Sequence, residues 1–157
     1  MQYCVNSFLE YTNIIEVQET EIDFDGYTIP IEDNKYVIGY NREHHAHRRR
    51  FTCSHEIAHT LSFEEEFEKI YKKCLINVWD KNNYEEILCN KIAAKLLLPT
   101  NVFIEFANKL EPSISSLQEL SKIFRVSLQV VMRRILDLGL WDINVVFWEP
   151  IDPDCPY

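Results

Sequence analysis

Between Ile14 and Asn41 the apolar residues fall in short, β-rich runs. Ile29 and Ile31 alternate with other residues, and Tyr36-Val37-Ile38-Gly39-Tyr40 has the composition of a buried strand. Asp25-Gly26 and Asp33-Asn34 punctuate these runs as turns. The pattern predicts two or three short antiparallel strands. After Asn41 the spacing becomes helical. One helix is expected over about 43–62, with Arg50 the position at which it would break. A second runs over about 83–97 and stops before Pro99, and a third over about 101–110. Pro112-Ser113 opens a pair over about 115–124 and 128–138, with Ser127 as N-cap of the second and Gly139 as its C′ stop. At the ends, residues 2–14 read as an opening helix with Phe8, Leu9 and Tyr11 on its apolar side. Ile143 to Trp148 read as a strand returning to the sheet, before a loose Pro-rich end. The expected class is α+β: a small antiparallel sheet packed on helices, with a C-terminal helix pair.

Composition narrows the picture. The chain has 157 residues, 46% of them hydrophobic and 13% aromatic, enough for one compact unit with a real core. No apolar run approaches the ~18–20 residues of a membrane-spanning helix. Met1 to Glu10 lacks the basic and apolar regions of a signal peptide, so a cytoplasmic location is expected. The five cysteines are odd in number, scattered and without a CxxC pair. That argues against a disulfide framework or a thiolate zinc site and fits a reducing compartment. Cys53, just before the chemistry described next, reads as a small buried filler. The net charge of −9 is a poor footing for binding nucleic acid, so a macromolecular partner is expected to be a protein.

The chemistry concentrates in His55-Glu56-Ile57-Ala58-His59, an HExxH pattern within a helical context. Positions i and i+4 stack on one helix face, so both imidazoles can reach one Zn²⁺. Glu56 then projects beside them as general base for a metal-activated water. A catalytic zinc takes three protein ligands and keeps a fourth position open. All five histidines lie between 44 and 59, so the third ligand cannot be a later histidine. The HExxHxxGxxH pattern fails as well, since Ser62 stands at its glycine and Glu65 at its last histidine.

A carboxylate remains. Glu86 is the best candidate, because its stripe continues through Cys89, Asn90 and Ala93, small residues that let two helices approach closely. Ala58 makes the matching concession on the other helix. Glu85 faces the greasier Leu88, Cys89 and Ile92. Glu65 belongs to the acidic run Glu64-Glu65-Glu66 and Glu68, which reads as a solvated face. Ahead of the motif, His44, His45 and His47 read as an exposed first turn rather than an accessory site. Arg50 is close enough to pair with a helix-borne carboxylate.

These residues resemble a family. Arg48-Arg49-Arg50-Phe51-Thr52-Cys53-Ser54 leading into the motif is similar to the RxRFTxxHExxH signature of the ImmA/IrrE bacterial metallopeptidases. Glu86 through Pro99 resembles that family's E-x-x-A-N-x-F-A-x-x-L-L-x-P segment, with Cys89 in place of its alanine and Ile92 in place of its phenylalanine. A supporting block runs from Leu117 through Ser127 to Arg133, Arg134 and Leu138-Gly139-Leu140. The resemblance covers about residues 35–140 and implies Glu86 as third zinc ligand. It also implies a gluzincin-like core, with a sheet over the HExxH helix and its partner. The activity it implies is regulatory: a zinc endopeptidase that cleaves a helix-turn-helix transcriptional repressor of a mobile element or stress response. Residues 1–110 would then be the metallopeptidase-like domain, 111–142 a helix-turn-helix-like extension packed on it, and 143–157 a strand and tail.

Two other readings stay beside this one. Residues 115–138 resemble a helix-turn-helix, with Arg133 and Arg134 on its second helix, which would suit a DNA-binding regulator. However, Val130, Val131, Ile135 and Leu138 look like packing residues, and the acidic charge opposes it. A metal-sensing scaffold without catalysis would give Glu56 no reason to be glutamate.

Overall fold

The structure, a computed structural model, describes residues 13–62 and 81–142. The expected opening helix over 2–14 falls almost entirely outside these residues, as do the strand from Ile143 and Glu65. Within them lie three strands, β1 (Ile14–Thr20), β2 (Gly26–Ile31) and β3 (Lys35–Asn41), and five helices. The helices are α1 (Ala46–Ser62), α2 (Lys81–Leu97), α3 (Thr100–Ala107), α4 (Ile114–Phe124) and α5 (Leu128–Leu138). The α+β class is as expected.

The sheet order is β1-β3-β2, and it is mixed. β2 pairs antiparallel with β3, with Gly26 opposite Tyr40 and Thr28 opposite Ile38. β1 runs parallel to β3, with Val17 opposite Ile38 and Thr20 opposite Asn41, which corrects the expectation of wholly antiparallel strands. The reason lies in β3. It is the most apolar run and takes the centre, where both faces and both edges are covered. β1 and β2 therefore straddle it, joined by a loop across its end, where Asn41 N–H donates to Asp25 O and Arg42 N–H to Thr20 O. The turn between β2 and β3 needs two left-handed residues, and Asp33 (φ 63°) and Asn34 (φ 58°) tolerate them.

One core lies between sheet and α1, where Tyr36, Ile38 and Tyr40 of β3 meet Cys53 and Ile57. On the sheet's other face Tyr27 crosses Gly39 and donates its hydroxyl to Gln18 Oε1 at 2.6 Å; any Cβ at Gly39 would overlap the ring. α1 is unbroken through Arg50. It packs on α2 through small side chains, since Ala58, Cys89 and Ala93 are all fully buried. That close approach is the one the sequence pattern demands.

A second core joins the end of α2 to α3, α4 and α5, with Leu98, Phe103, Leu120, Val131 and Ile135 at its centre. Its helix ends are capped locally. Ser113 Oγ accepts from Ser116 N–H and Ser127 Oγ from Val130 N–H, while Arg125 and Gly139 close α4 and α5 in the left-handed conformation. Two neighbouring residues of α1 tie it to this second core. Phe51 packs against it, and Arg50 Nη1 donates to Phe124 O at 3.4 Å and Arg125 O at 3.3 Å. Among the described residues Arg50 thus meets the carbonyl end of α4, where a cation is favoured, and not the expected carboxylate.

Candidate metal centre

α1 sets two side chains one turn apart on the face toward α2. The rings of His55 and His59 meet edge to face, with centroids 4.7 Å apart, and their Nε2 atoms are 3.0 Å apart. α2 brings Glu86 to the same point. Its carboxylate oxygens lie 3.1 Å from His55 Nε2 and 3.5 Å from His59 Nε2. Ligand atoms of all three residues fall within 4.8 Å of one another.

These separations test the fit to a metal. A first-row divalent ion bound tetrahedrally at about 2.0–2.1 Å keeps its donor atoms about 3.3 Å apart. The observed 3.0, 3.1 and 3.5 Å bracket that value. Two imidazoles and a carboxylate are also the donor chemistry of an open catalytic site. The residues fit.

The outer nitrogens of both rings face α2 as well. His55 Nδ1 lies 2.9 Å from Asn90 Oδ1, so this nitrogen carries the proton and Nε2 is left as a donor to the metal. His59 Nδ1 lies 3.5 Å from Glu85 Oε1 and 3.5 Å from Cys89 Sγ. Glu85, the alternative to Glu86, therefore addresses the outer side of a ring. Burial, with the carboxylates of Glu85, Glu86 and Glu56 nearby, pushes the Cys89 thiol up to about 12. It stays protonated and packs as a small apolar group.

Glu56 points to a different neighbour. It is only 7% exposed and lies under β2, where Thr28 Oγ1 is 2.8 Å from its Oε2 and 3.1 Å from its backbone carbonyl oxygen. Burial pushes its carboxyl above the usual range; the Thr28 hydrogen bond and His55 act against this, while Glu86 and Asp25 add to it. The approach of β2 depends on a glycine. A Cβ on Gly26 would come within 2.5 Å of Thr52 Cγ2 and 2.9 Å of Glu56 Oε1.

His55, Glu56, His59 and Glu86 share one cavity of about 370 Å³, also lined by Asp25, Gly26 and Asn90. Asp25 binds the basic stretch ahead of the motif, with Oδ1 2.7 Å from Arg48 Nη2 and 3.2 Å from His44 Nδ1. That stretch thus reaches the cavity only through its ion pairs with Asp25. Sequence reasoning missed Asp25, Gly26 and Thr28, which read there only as turn and strand residues. The one available signal was the alternation that puts Gly26 and Thr28 on the same face of β2.

Elsewhere Arg134 is 5% exposed, and its Nη2 donates to Thr100 Oγ1 at 2.6 Å. One of the two arginines considered for DNA contact thus fastens α5 to the start of α3. Among the described residues no single helix is long and apolar enough to cross a membrane.

A family model described as the IrrE N-terminal-like domain, a peptidase family, matches residues 10–136. No curated protein matches the chain.

Proposed function

The chain belongs to the IrrE N-terminal-like peptidase family, and on that premise we propose that it is a zinc endopeptidase that cleaves a transcriptional repressor. The observation that carries this reading is the convergence of His55, His59 and Glu86 at one point, with Glu56 beside them in the same cavity. Two imidazole nitrogens and a carboxylate suit zinc, with a fourth position left open.

A zinc ion held there supplies Lewis acidity, acidifying water and polarising the scissile carbonyl. Glu56 takes the proton of the attacking water and returns it to the leaving amine. Its oxygens are not equivalent. Thr28 engages Oε2 while Oε1 lies beside Gly26, so Oε1 is the oxygen left for proton transfer. Asn90 holds the His55 ring by its outer nitrogen and prevents it from turning away.

The substrate's route follows from the sheet. Among the described residues β2 is an edge strand, and it begins at Gly26, on the wall of the cavity. An extended protein segment can pair with its open backbone groups and so pass its own backbone over Glu56. A repressor, the substrate class implied by the family resemblance, supplies such a segment from a linker or an unfolded end. The buried free thiol of Cys89 fits work in the cytoplasm.

The test is incubation of the purified, zinc-loaded protein with repressors encoded beside its gene. Cleavage that stops with a chelator and resumes with added zinc is expected. Intact repressors under every condition would overturn the reading.

A further inference from the structure

Glu56 has three side-chain torsions, and nothing in the HExxH pattern fixes them. The helix places its Cα; the carboxylate still has to be aimed. Among the described residues a single side-chain hydroxyl meets that carboxylate, and it comes from the sheet. Thr28 Oγ1 sits 2.8 Å from Oε2 and 3.1 Å from the Glu56 carbonyl oxygen, touching both ends of the residue. Thr28 itself is held by the ladder, opposite the fully buried Ile38 of the central strand.

We propose that Thr28 is a positioning residue that aims the Glu56 carboxylate for proton transfer. The inference rests on the peptidase reading for its purpose and on the geometry for its substance. A β-branched residue is stiff at χ1, so its hydroxyl is a firmer anchor than a long polar side chain. Binding at Oε2 leaves Oε1 beside Gly26, where a Cβ would stand only 2.9 Å away. Threonine and glycine on the same face of β2 therefore act together: one holds an oxygen, and the other carries no side chain to press on its twin. The site helix supplies the base and the edge strand supplies its aim.

A residue that merely fastened β2 to α1 would behave differently on substitution, and the test separates the two. Thr28→Val keeps shape and branching and removes the hydroxyl, and Thr28→Ser restores it. Both variants and the wild type are loaded with zinc, assayed on a neighbouring-gene repressor cleaved by the wild type, and crystallised. The expected result for Thr28→Val is a kcat lower by roughly 10–100-fold, the range for losing a partner that orients a site residue, with KM and zinc content unchanged. In its crystals the Glu56 carboxylate leaves its wild-type position. Thr28→Ser recovers both rate and position. Full kcat in Thr28→Val, or a Glu56 side chain unmoved in its crystals, would overturn the proposal. A lower melting temperature with lost zinc and unchanged kcat per bound zinc would also overturn it, by showing a fastening role. If the wild type cleaves no repressor, the peptidase reading fails by itself, and the crystals still decide whether Thr28 aims Glu56.

Discussion

Around α1 the buried positions include Thr52, Ser54, Glu56 and Thr60, whereas around α3, α4 and α5 they are mainly Phe103, Leu117, Leu120, Val131 and Ile135. The first set is half polar and serves chemistry. Each buried polar group there needs a partner, as Glu56 has in Thr28 and Thr60 has in the Ile57 carbonyl at 2.8 Å. The second set is apolar, fully enclosed and framed by capped helices. It supplies stability that the first cannot, and Arg50 and Phe51 carry it to the site helix one turn before His55. A catalytic helix with a half-polar buried face is thus braced by a mainly apolar neighbour.

The comparison breaks most visibly in the apolar half. Phe103 is fully buried, with its ring 5.4 Å from that of Phe124, and Phe103→Ala should cost about 3–5 kcal/mol in urea unfolding. If a loss that large left zinc affinity and unfolding cooperativity untouched, the two halves would not be coupled through α1. In the polar half Gly26→Ala presses a methyl group toward Thr52, the Gly39 carbonyl oxygen and Glu56. It should cost about 1–3 kcal/mol and depress kcat, because the contacted atoms include backbone and the base itself. A variant with wild-type stability and turnover would remove Gly26 from the account.

The sign of charge burial gives a further contrast. Burial raises the pKa of Glu56, so the metal-free folded state binds its proton more tightly than the unfolded chain does. Its stability contribution is then present at low pH and is lost as pH rises through the folded-state value. In metal-free protein Glu56→Gln should raise the melting temperature at neutral pH, and the gain should shrink as pH falls from the raised value toward the usual carboxylate range, where it vanishes. A gain that grew toward low pH would reverse the assignment. The smallest change belongs to the helical half. Arg125 holds the left-handed stop of α4 at φ 54°, and Arg125→Gly should stabilise by about 1 kcal/mol in the same melts.

Legibility in the sequence divided along the same line. Helix periodicity and caps are local, so α4 and α5, with Ser127 and Gly139 at their ends, were readable within a residue or two. The spacing that put Glu86 on a stripe of small residues was also local to one helix, and α2 brings that stripe against Ala58. Strand neighbours are not local. Alternation assigns a side chain to a face without naming the adjacent strand, so the parallel pairing of β1 with β3 was invisible. For the same reason nothing in Gly26 or Thr28 announced Glu56, and nothing in Arg50 announced the end of α4. The site's candidate ligands were written in helix spacing; what aims and braces them came from contacts across the fold.

The most direct test of the account is one paired measurement on Glu56→Gln: zinc content, and cleavage of a repressor that the wild type cleaves. Gln keeps the shape of the side chain and can still accept the Thr28 hydrogen bond, but it cannot take a proton. Wild-type zinc content with cleavage slower by about 10²–10⁴-fold is the predicted result. Cleavage at the wild-type rate by the zinc-loaded variant would contradict the assignment of Glu56 as the base.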